Sequence, residues 1–343
     1  MQATRAYGVV AALTLVGGLG VGGAAHAQEL EQALFVSVLR SGEPVLDLTL
    51  EEFVVEEDKQ QREVLRVERA EVPMQVAILV DDSYGFARNI SHVRNAITEL
   101  LDTLPDGQQV ALITFGDHLT TVVDYTTNKD LLRLAASQYA PFSETSAYLM
   151  NGLAQTAADL DRRGAIRPII VLLTGDDAQT QLSRVDFGRQ RSGQVISPRG
   201  GQGLGYKVVL DVLRETKVAV HTLVVRAPDT PTFAPAPDVS TFTRGALLQD
   251  FGDRDRASLL EQLPSTTGGG REELGATSAI PKMAARIGNE ISHQYLVTYA
   301  RPIGLIPPET VEVKVTRRRH RVRSTPSRAL SWCAEDWARW RPG

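Results

Sequence analysis

Four runs of almost purely apolar residues recur along this chain, separated by longer stretches with helical spacing. The runs cover residues 75–80, 110–115, 169–174 and 218–225. Such runs are typical of strands buried on both faces, because the helices that connect parallel strands cover both sides of the sheet. Helical spacing occurs at 88–104, 128–139, 146–163, 206–216 and 280–292, and further strands are predicted at 119–125 and 294–299. The pattern predicts a mainly parallel α/β sheet with helices on both faces.

Residues 1–27 have the composition of a signal peptide. Arg5 precedes an uncharged stretch from 6 to 25, and Ala25-His26-Ala27 fits the small-x-small rule for cleavage before Gln28. The alternative is a membrane anchor, for which roughly 20 apolar residues suffice, but six glycines between 6 and 25 favour cleavage. We therefore expect an exported protein, periplasmic or extracellular, with no transmembrane segment after cleavage.

The segments on either side of the α/β region carry opposite charge. Residues 28–72 alternate apolar and polar positions and predict a small β extension, with twelve acidic and five basic residues between 29 and 71. Residues 311–315 also alternate, and six basic residues lie between 314 and 323. Three interpretations remain open for this basic strand: a solvated sheet edge, pairing with the acidic extension, or a patch for anionic lipid, cell-surface polymer or nucleic acid.

The remaining segments fall outside the strand–helix rhythm. The main domain is predicted over 73–300, with Gly-, Arg-, Pro- and Thr-rich insertions near 184–205 and 227–275 that we expect to lie over the sheet as loops. Residues 301–343 hold the basic strand and then a tail that contains Trp332, Trp337, Trp340 and the single cysteine, Cys333. The tail either docks on the domain or recruits a partner.

A short acidic motif follows the first buried run, where a parallel sheet places its ligand sites. The sequence there is Asp81-Asp82-Ser83-Tyr84-Gly85. Carboxylate and hydroxyl oxygens at this spacing suit a hard divalent cation. The alternative is that Asp82 or Ser83 only caps the following helix.

The order of the motifs along the chain resembles the von Willebrand factor A domain, and most closely the bacterial secreted proteins related to it. The resemblance is carried by Asp81-x-Ser83, Gly116-Asp117, Thr145 before a helix, and Thr174-Gly175-Asp176-Asp177 after a strand. It implies a Rossmann-like doubly wound sheet with a small N-terminal β extension. It also implies a metal-ion-dependent adhesion site at the carboxyl ends of the strands.

The motif departs from the family pattern at two positions. Gly85 stands where the family has a second serine, and Gly175 separates Thr174 from the carboxylate of Asp176. The resemblance implies a set of metal ligands and a set of neighbouring ligand-binding residues, and it implies Mg²⁺, Ca²⁺ or Mn²⁺ as the cofactor. The implied metal ligands are Asp81, Ser83, Thr145 and Asp176, and the implied ligand-binding residues are Asp82, Tyr84, Gly85, Asp117 and Asp177.

Three classes of function remain after composition and motifs are considered. Lys and Arg number 37 against 41 Asp and Glu, so a nucleic-acid partner is not expected. The chain has no Gly-x-Ser-x-Gly, His-Glu-x-x-His or P-loop motif, so we expect no enzyme activity. We expect a binding protein for a protein or cell-surface ligand. The alternatives are a scaffold or assembly subunit that needs no metal and, less favoured, a metal-assisted hydrolase.

Overall fold

The computed structural model describes residues 29–143, 148–176, 204–226, 244–302, 308 and 310–327, with side chains omitted at 85 and 244–253. Among these residues there are fourteen strands and six α-helices. The strands are β1 (Glu29–Arg40), β2 (Glu43–Pro44), β3 (Phe53–Glu57), β4 (Gln60–Arg62), β5 (Val64–Arg69), β6 (Met74–Asp81), β7 (Gln109–Phe115), β8 (Leu119–Thr126), β9 (Arg167–Gly175), β10 (Ala219–Val225), β11 (Arg271–Leu274), β12 (Tyr295–Pro302), β13 (Val311–Val315) and β14 (Arg321–Pro326). The helices are α1 (Ile90–Thr103), α2 (Lys129–Gln138), α3 (Leu149–Arg162), α4 (Tyr206–Glu215), α5 (Arg244–Thr267) and α6 (Ile280–Ser292).

The central sheet has six strands in the order β11-β10-β9-β6-β7-β8. All its pairings are parallel except that of β8, which runs antiparallel to β7 at one edge. Helices α1, α2 and α6 pack on one face, and α3, α4 and α5 pack on the other. Because β6, β9 and β10 are almost entirely buried, their apolar runs were readable from the sequence. The doubly wound, mainly parallel fold is confirmed.

The prediction of a loop insertion at 227–275 is wrong over the second half of that range. Residues 244–267 form helix α5, and β11 adds to the central sheet as a parallel edge strand beside β10. The helix is held by the buried side chains of Leu259, Leu260 and Leu263. Residues 227–243, and 184–203 of the first predicted insertion, lie outside the described residues.

The strand predicted at 294–299 does not join the central sheet. It is β12, which pairs antiparallel with β1 and with β5 in a second sheet of order β14-β1-β12-β5. The small N-terminal β unit is therefore completed by strands from the other end of the chain. The neighbouring strands β1 and β14 are almost 300 residues apart in the sequence. A local sequence pattern cannot predict pairing over that separation.

The basic strand pairs with the acidic extension, which confirms the second of its three interpretations. β13 runs antiparallel to β3 in a three-stranded sheet. The Lys314 amine lies 2.6 Å from Glu56 Oε2, and Arg317 bonds both Glu52 and Asp47, the latter at 2.8 Å. Glu56 and Glu312 face each other directly across the pair, and Lys314 contacts both carboxylates and offsets their repulsion. The tail from 328 onward, with its three tryptophans and Cys333, lies outside the described residues.

The β unit is attached at the amino-terminal ends of the central strands. Arg167, at the start of β9, is buried and donates to the backbone carbonyls of Ala70 and Ile291 and to the side chain of Gln294. Lys217, two residues before β10, donates to the Ser327 carbonyl at 3.4 Å. The carboxyl-terminal ends of the same strands lie at the opposite edge of the sheet.

Candidate functional site

The candidate site is built on the turn that follows β6. Asp81, Asp82 and Ser83 are all buried, with at most 3% of each residue exposed. Asp81 Oδ1 accepts a hydrogen bond of 3.0 Å from the Ser83 backbone N–H, which fixes the turn. The backbone of Asp82 and Tyr84 is tied in turn to residues 142 and 143, by bonds of 2.9 to 3.1 Å. The turn places the Asp81 carboxylate beside the end of β9 and the Asp82 carboxylate beside the end of β7.

The second carboxylate oxygen of Asp81 is engaged by two neighbours. The Thr174 hydroxyl, near the end of β9, donates to Asp81 Oδ2 at 2.8 Å. The guanidinium of Arg256 lies 3.5 Å from the same oxygen, and its Nη2 also donates to Thr174 Oγ1 at 2.5 Å and to the Gly175 carbonyl at 3.0 Å. Arg256 is 5% exposed. A buried arginine therefore completes the site around Asp81.

Sequence reasoning did not identify Arg256. It lies on α5, inside the stretch that was interpreted as a loop. The signal that could have found it is its spacing, because Arg256 precedes the buried Leu259, Leu260 and Leu263 by three, four and seven positions. Residues at these spacings share one helix face. An arginine on the apolar face of a helix is buried and needs an acidic partner.

Asp82 packs against the end of the neighbouring strand β7. Gly116 leaves the space for it, since a Cβ atom on Gly116 would lie 2.2 Å from Asp82 Oδ1 and 2.3 Å from Ser143 Cβ. Burial raises the pKa of Asp82; the side chains of Ser143 and Thr114 act in the opposite direction, and the Asp81 carboxylate adds to the rise. The site thus contains two adjacent buried carboxylates and one buried guanidinium.

Other predicted site residues lie at the surface around this buried group. Tyr84 is 48% exposed, and Asp117 and Asp176 are also exposed. Phe142, which sequence reasoning did not select, is 53% exposed, and its ring lies 6.3 Å from that of His118. The candidate surface defined by Tyr84, Asp117, Phe142 and Asp176 therefore combines aromatic and acidic side chains.

Three of the predicted residues are described only in part or not at all. Gly85 lies in the 3₁₀ helix Tyr84–Asn89 that leads into α1. Thr145 and Asp177 lie outside the described residues. The structure thus places Asp81 and Ser83 together, sets Asp176 at the surface, and adds Thr174 to the buried group.

The described residues do not fit a divalent cation as they are arranged. Hard cations take six or more oxygen ligands at about 2.0–2.6 Å. Asp81 instead accepts from an amide, a hydroxyl and a guanidinium. Within the described ranges no group of three or more His, Cys, Asp or Glu side chains is arranged to hold a metal ion.

Comparison with family models supports the fold. Residues 75–232 match the family model of the von Willebrand factor type A domain. No curated protein matches the chain. In the parts of the chain that the structure describes, no helix is long and apolar enough to cross a membrane.

Several solved structures are similar to the chain at low identity. BatB from Bacteroides thetaiotaomicron is 15% identical over 63% of this chain and 98% of its own, with a TM-score of 0.40. A von Willebrand factor type A protein from Catenulispora acidiphila is 9% identical over 88% of this chain and 72% of its own, with a TM-score of 0.41. Proximal thread matrix protein 1 from the mussel byssus, with a zinc-occupied adhesion motif, is 14% identical over 67% of this chain and 47% of its own, with a TM-score of 0.42.

Proposed function

We propose that this chain, whose residues 75–232 match the family model of the von Willebrand factor type A domain, binds a protein or cell-surface ligand through the carboxyl-terminal edge of its central sheet. The surface that makes the contact is the one defined by Tyr84, Asp117, Phe142 and Asp176. The buried group of Asp81, Asp82, Thr174 and Arg256 holds this surface in place from below.

The observation that carries the proposal is the pair of exposed aromatic side chains. Tyr84 and Phe142 stand on the two backbone segments that are hydrogen-bonded to each other at the site, through Tyr84 N–H to the Ser143 carbonyl and Phe142 N–H to the Asp82 carbonyl. Both are about half exposed. Large aromatic residues on a rigid support are typical of the centres of protein interfaces, because they bury much area at a small entropic loss.

The test compares proteins retained by immobilised variants of the chain. Bait proteins are incubated with envelope and culture-supernatant fractions of the source organism, and retained proteins are identified by mass spectrometry. The double variant Tyr84→Ala/Phe142→Ala should lose a partner that the wild type retains, with affinity reduced by at least about tenfold. The matched control is Leu134→Ala/Val208→Ala, which removes two side chains of 58% and 49% exposure from α2 and α4.

The comparison has two informative outcomes. A partner retained by the wild type and the control but lost by the aromatic variant supports the proposal. The same set of retained proteins for all three baits contradicts it, provided that thermal unfolding shows all three to be folded.

We also propose that the chain is exported before it binds. The uncharged stretch at 6–25 and the Ala25-His26-Ala27 motif support this. Mass spectrometry of the protein recovered from fractionated cells should find Gln28 as its first residue. An intact residue 1 in the recovered protein would contradict export by this route.

A further inference from the structure

Helix α5 carries a permanent positive charge into the place where the family holds its metal ion. The apolar face of α5 packs on the central sheet through Leu259, Leu260 and Leu263. Arg256 lies on the same face, one turn toward the amino end, where it reaches the carboxyl-terminal edge of β6 and β9. The packing of the leucines therefore sets the position of the guanidinium.

The oxygen atoms around Arg256 are of the kinds that hard cations bind, and one of them, on Asp81, belongs to the metal ligands that the resemblance implies. Its Nη2 atom contacts a carboxylate, a hydroxyl and a backbone carbonyl, from Asp81, Thr174 and Gly175 at 3.5, 2.5 and 3.0 Å. A guanidinium remains charged at every physiological pH. It can therefore neutralise Asp81 at all times without an exchangeable ion.

The two departures of the motif from the family pattern agree with a guanidinium in place of a metal ion. Gly85 and Gly175 stand at two positions where the resemblance implies oxygen ligands. Arg256 meets the second of these directly, because it donates to the Gly175 carbonyl. Loss of side-chain ligands weakens a metal site, and a positive charge at the same carboxylate repels a metal ion.

We propose that Arg256 is the resident cation of this site and that the domain is metal-independent as a result. The proposal concerns the charge balance around Asp81 and does not rest on the identity of any partner. It makes the arginine, and not a divalent ion, the group that stabilises the turn after β6. It also implies that removing the arginine exposes a set of oxygens that a divalent ion can use.

The test measures thermal unfolding of the full chain in EDTA and in millimolar Mn²⁺, Mg²⁺ or Ca²⁺, with calorimetric titration of each ion. The wild type should show the same Tm in all conditions and no binding heat. Arg256→Ala should have a lower Tm than the wild type in EDTA and regain several degrees in Mn²⁺. Arg254→Ala, which removes an exposed arginine two residues away on the same helix, should show the same Tm in EDTA and in each ion, as the wild type does.

A second variant keeps the test decisive if Arg256→Ala does not fold. Arg256→Lys retains the positive charge and should remain insensitive to all three ions. The proposal is overturned if the wild type binds one of these ions and Asp81→Asn abolishes that binding. It is equally overturned if a folded Arg256→Ala variant shows no response to any ion, because the oxygens around Asp81 would then not form a cation position.

Discussion

Replacing Gly116 by alanine tests the close packing on which the candidate site depends. The added Cβ atom would lie 2.2 Å from Asp82 Oδ1, 2.3 Å from Ser143 Cβ and 2.4 Å from Ser143 Oγ. Favourable contacts of carbon atoms lie at about 3.5–4.0 Å, so Asp82 and Ser143 must each move by more than about 1 Å. Both residues are buried, with at most 2% of each exposed.

The expected loss of stability follows from this overlap. Overpacking a core costs about 1–3 kcal/mol, and we expect the upper end because two buried neighbours must shift together. About 3 kcal/mol corresponds to a fall in Tm of roughly 6 °C for a chain of this size. Chemical unfolding in urea should show a lower midpoint with an unchanged slope, since the unfolded chain is the same.

Gly275→Ala is the matched control, because no heavy atom lies within 4 Å of the Cβ that it adds. We expect this variant to be unchanged or slightly stabilised, since alanine reduces the entropy of the unfolded chain. The reasoning would be refuted by equal Tm values for Gly116→Ala and Gly275→Ala. Such a result would mean that the end of β7 is not closely packed against the turn after β6.

Three further predictions concern charge. Burial lowers the pKa of His221 to about 4, while an unfolded histidine binds its proton below about 6.5. Its contribution of about 3 kcal/mol is therefore present above pH 6.5 and is lost as the pH falls toward 4. In Tm measurements over this range, His221→Asn should show a shallower pH dependence than the wild type. Arg317→Ala should lower the Tm at low salt through loss of its ion pair with Glu52, whereas Arg318→Ala, which removes an exposed arginine, should not. The difference between these two variants should shrink in about 1 M NaCl, where the screening length is about 3 Å. Burial raises the pKa of Asp82 in the folded protein. Its ionisation therefore destabilises the fold as the pH rises through that raised pKa. Thermal unfolding should therefore show the Tm of Asp82→Asn rising relative to the wild type between pH 4 and pH 7, and a constant difference would contradict this.

The central sheet could be predicted from the sequence because burial on both faces leaves a readable pattern. The runs at 75–80, 110–115 and 169–174 coincide with β6, β7 and β9 to within two residues at each end. The edge strand β11 could not be predicted in this way. Its four residues, Arg-Glu-Glu-Leu, are mostly polar, because an edge strand near the surface does not need two apolar faces.

Helix α5 was missed for a different reason. Its 24 residues include an internal proline, Pro264, and a glycine, Gly252, both of which indicate a break when only local propensity is considered. The buried leucines on its second half supply the compensating energy, but they pack in a cluster with α4 and β10, which local propensity does not report. Since Arg256 lies on this helix, missing the helix also meant missing the charge that completes the site. The exposed position of Phe142 carried no sequence signal, because a single aromatic residue in a loop is equally compatible with burial.

The two ends of the central sheet differ in how much contact they make with the rest of the chain. At the amino-terminal ends, Arg167 donates to carbonyl groups from the segments that connect the sheet to the β unit. That end of the sheet is therefore bonded to another part of the same chain. At the carboxyl-terminal ends, the buried Arg256 forms an ion pair with the buried Asp81. Tyr84 and Phe142 remain about half exposed at the surface of the same site. Strands β6 and β9 run through both regions and are hydrogen-bonded to each other along their length, so the carboxyl-terminal surface rests on a rigid support. A partner that binds the aromatic surface thus meets a preorganised site, whose ordering entropy has already been lost on folding.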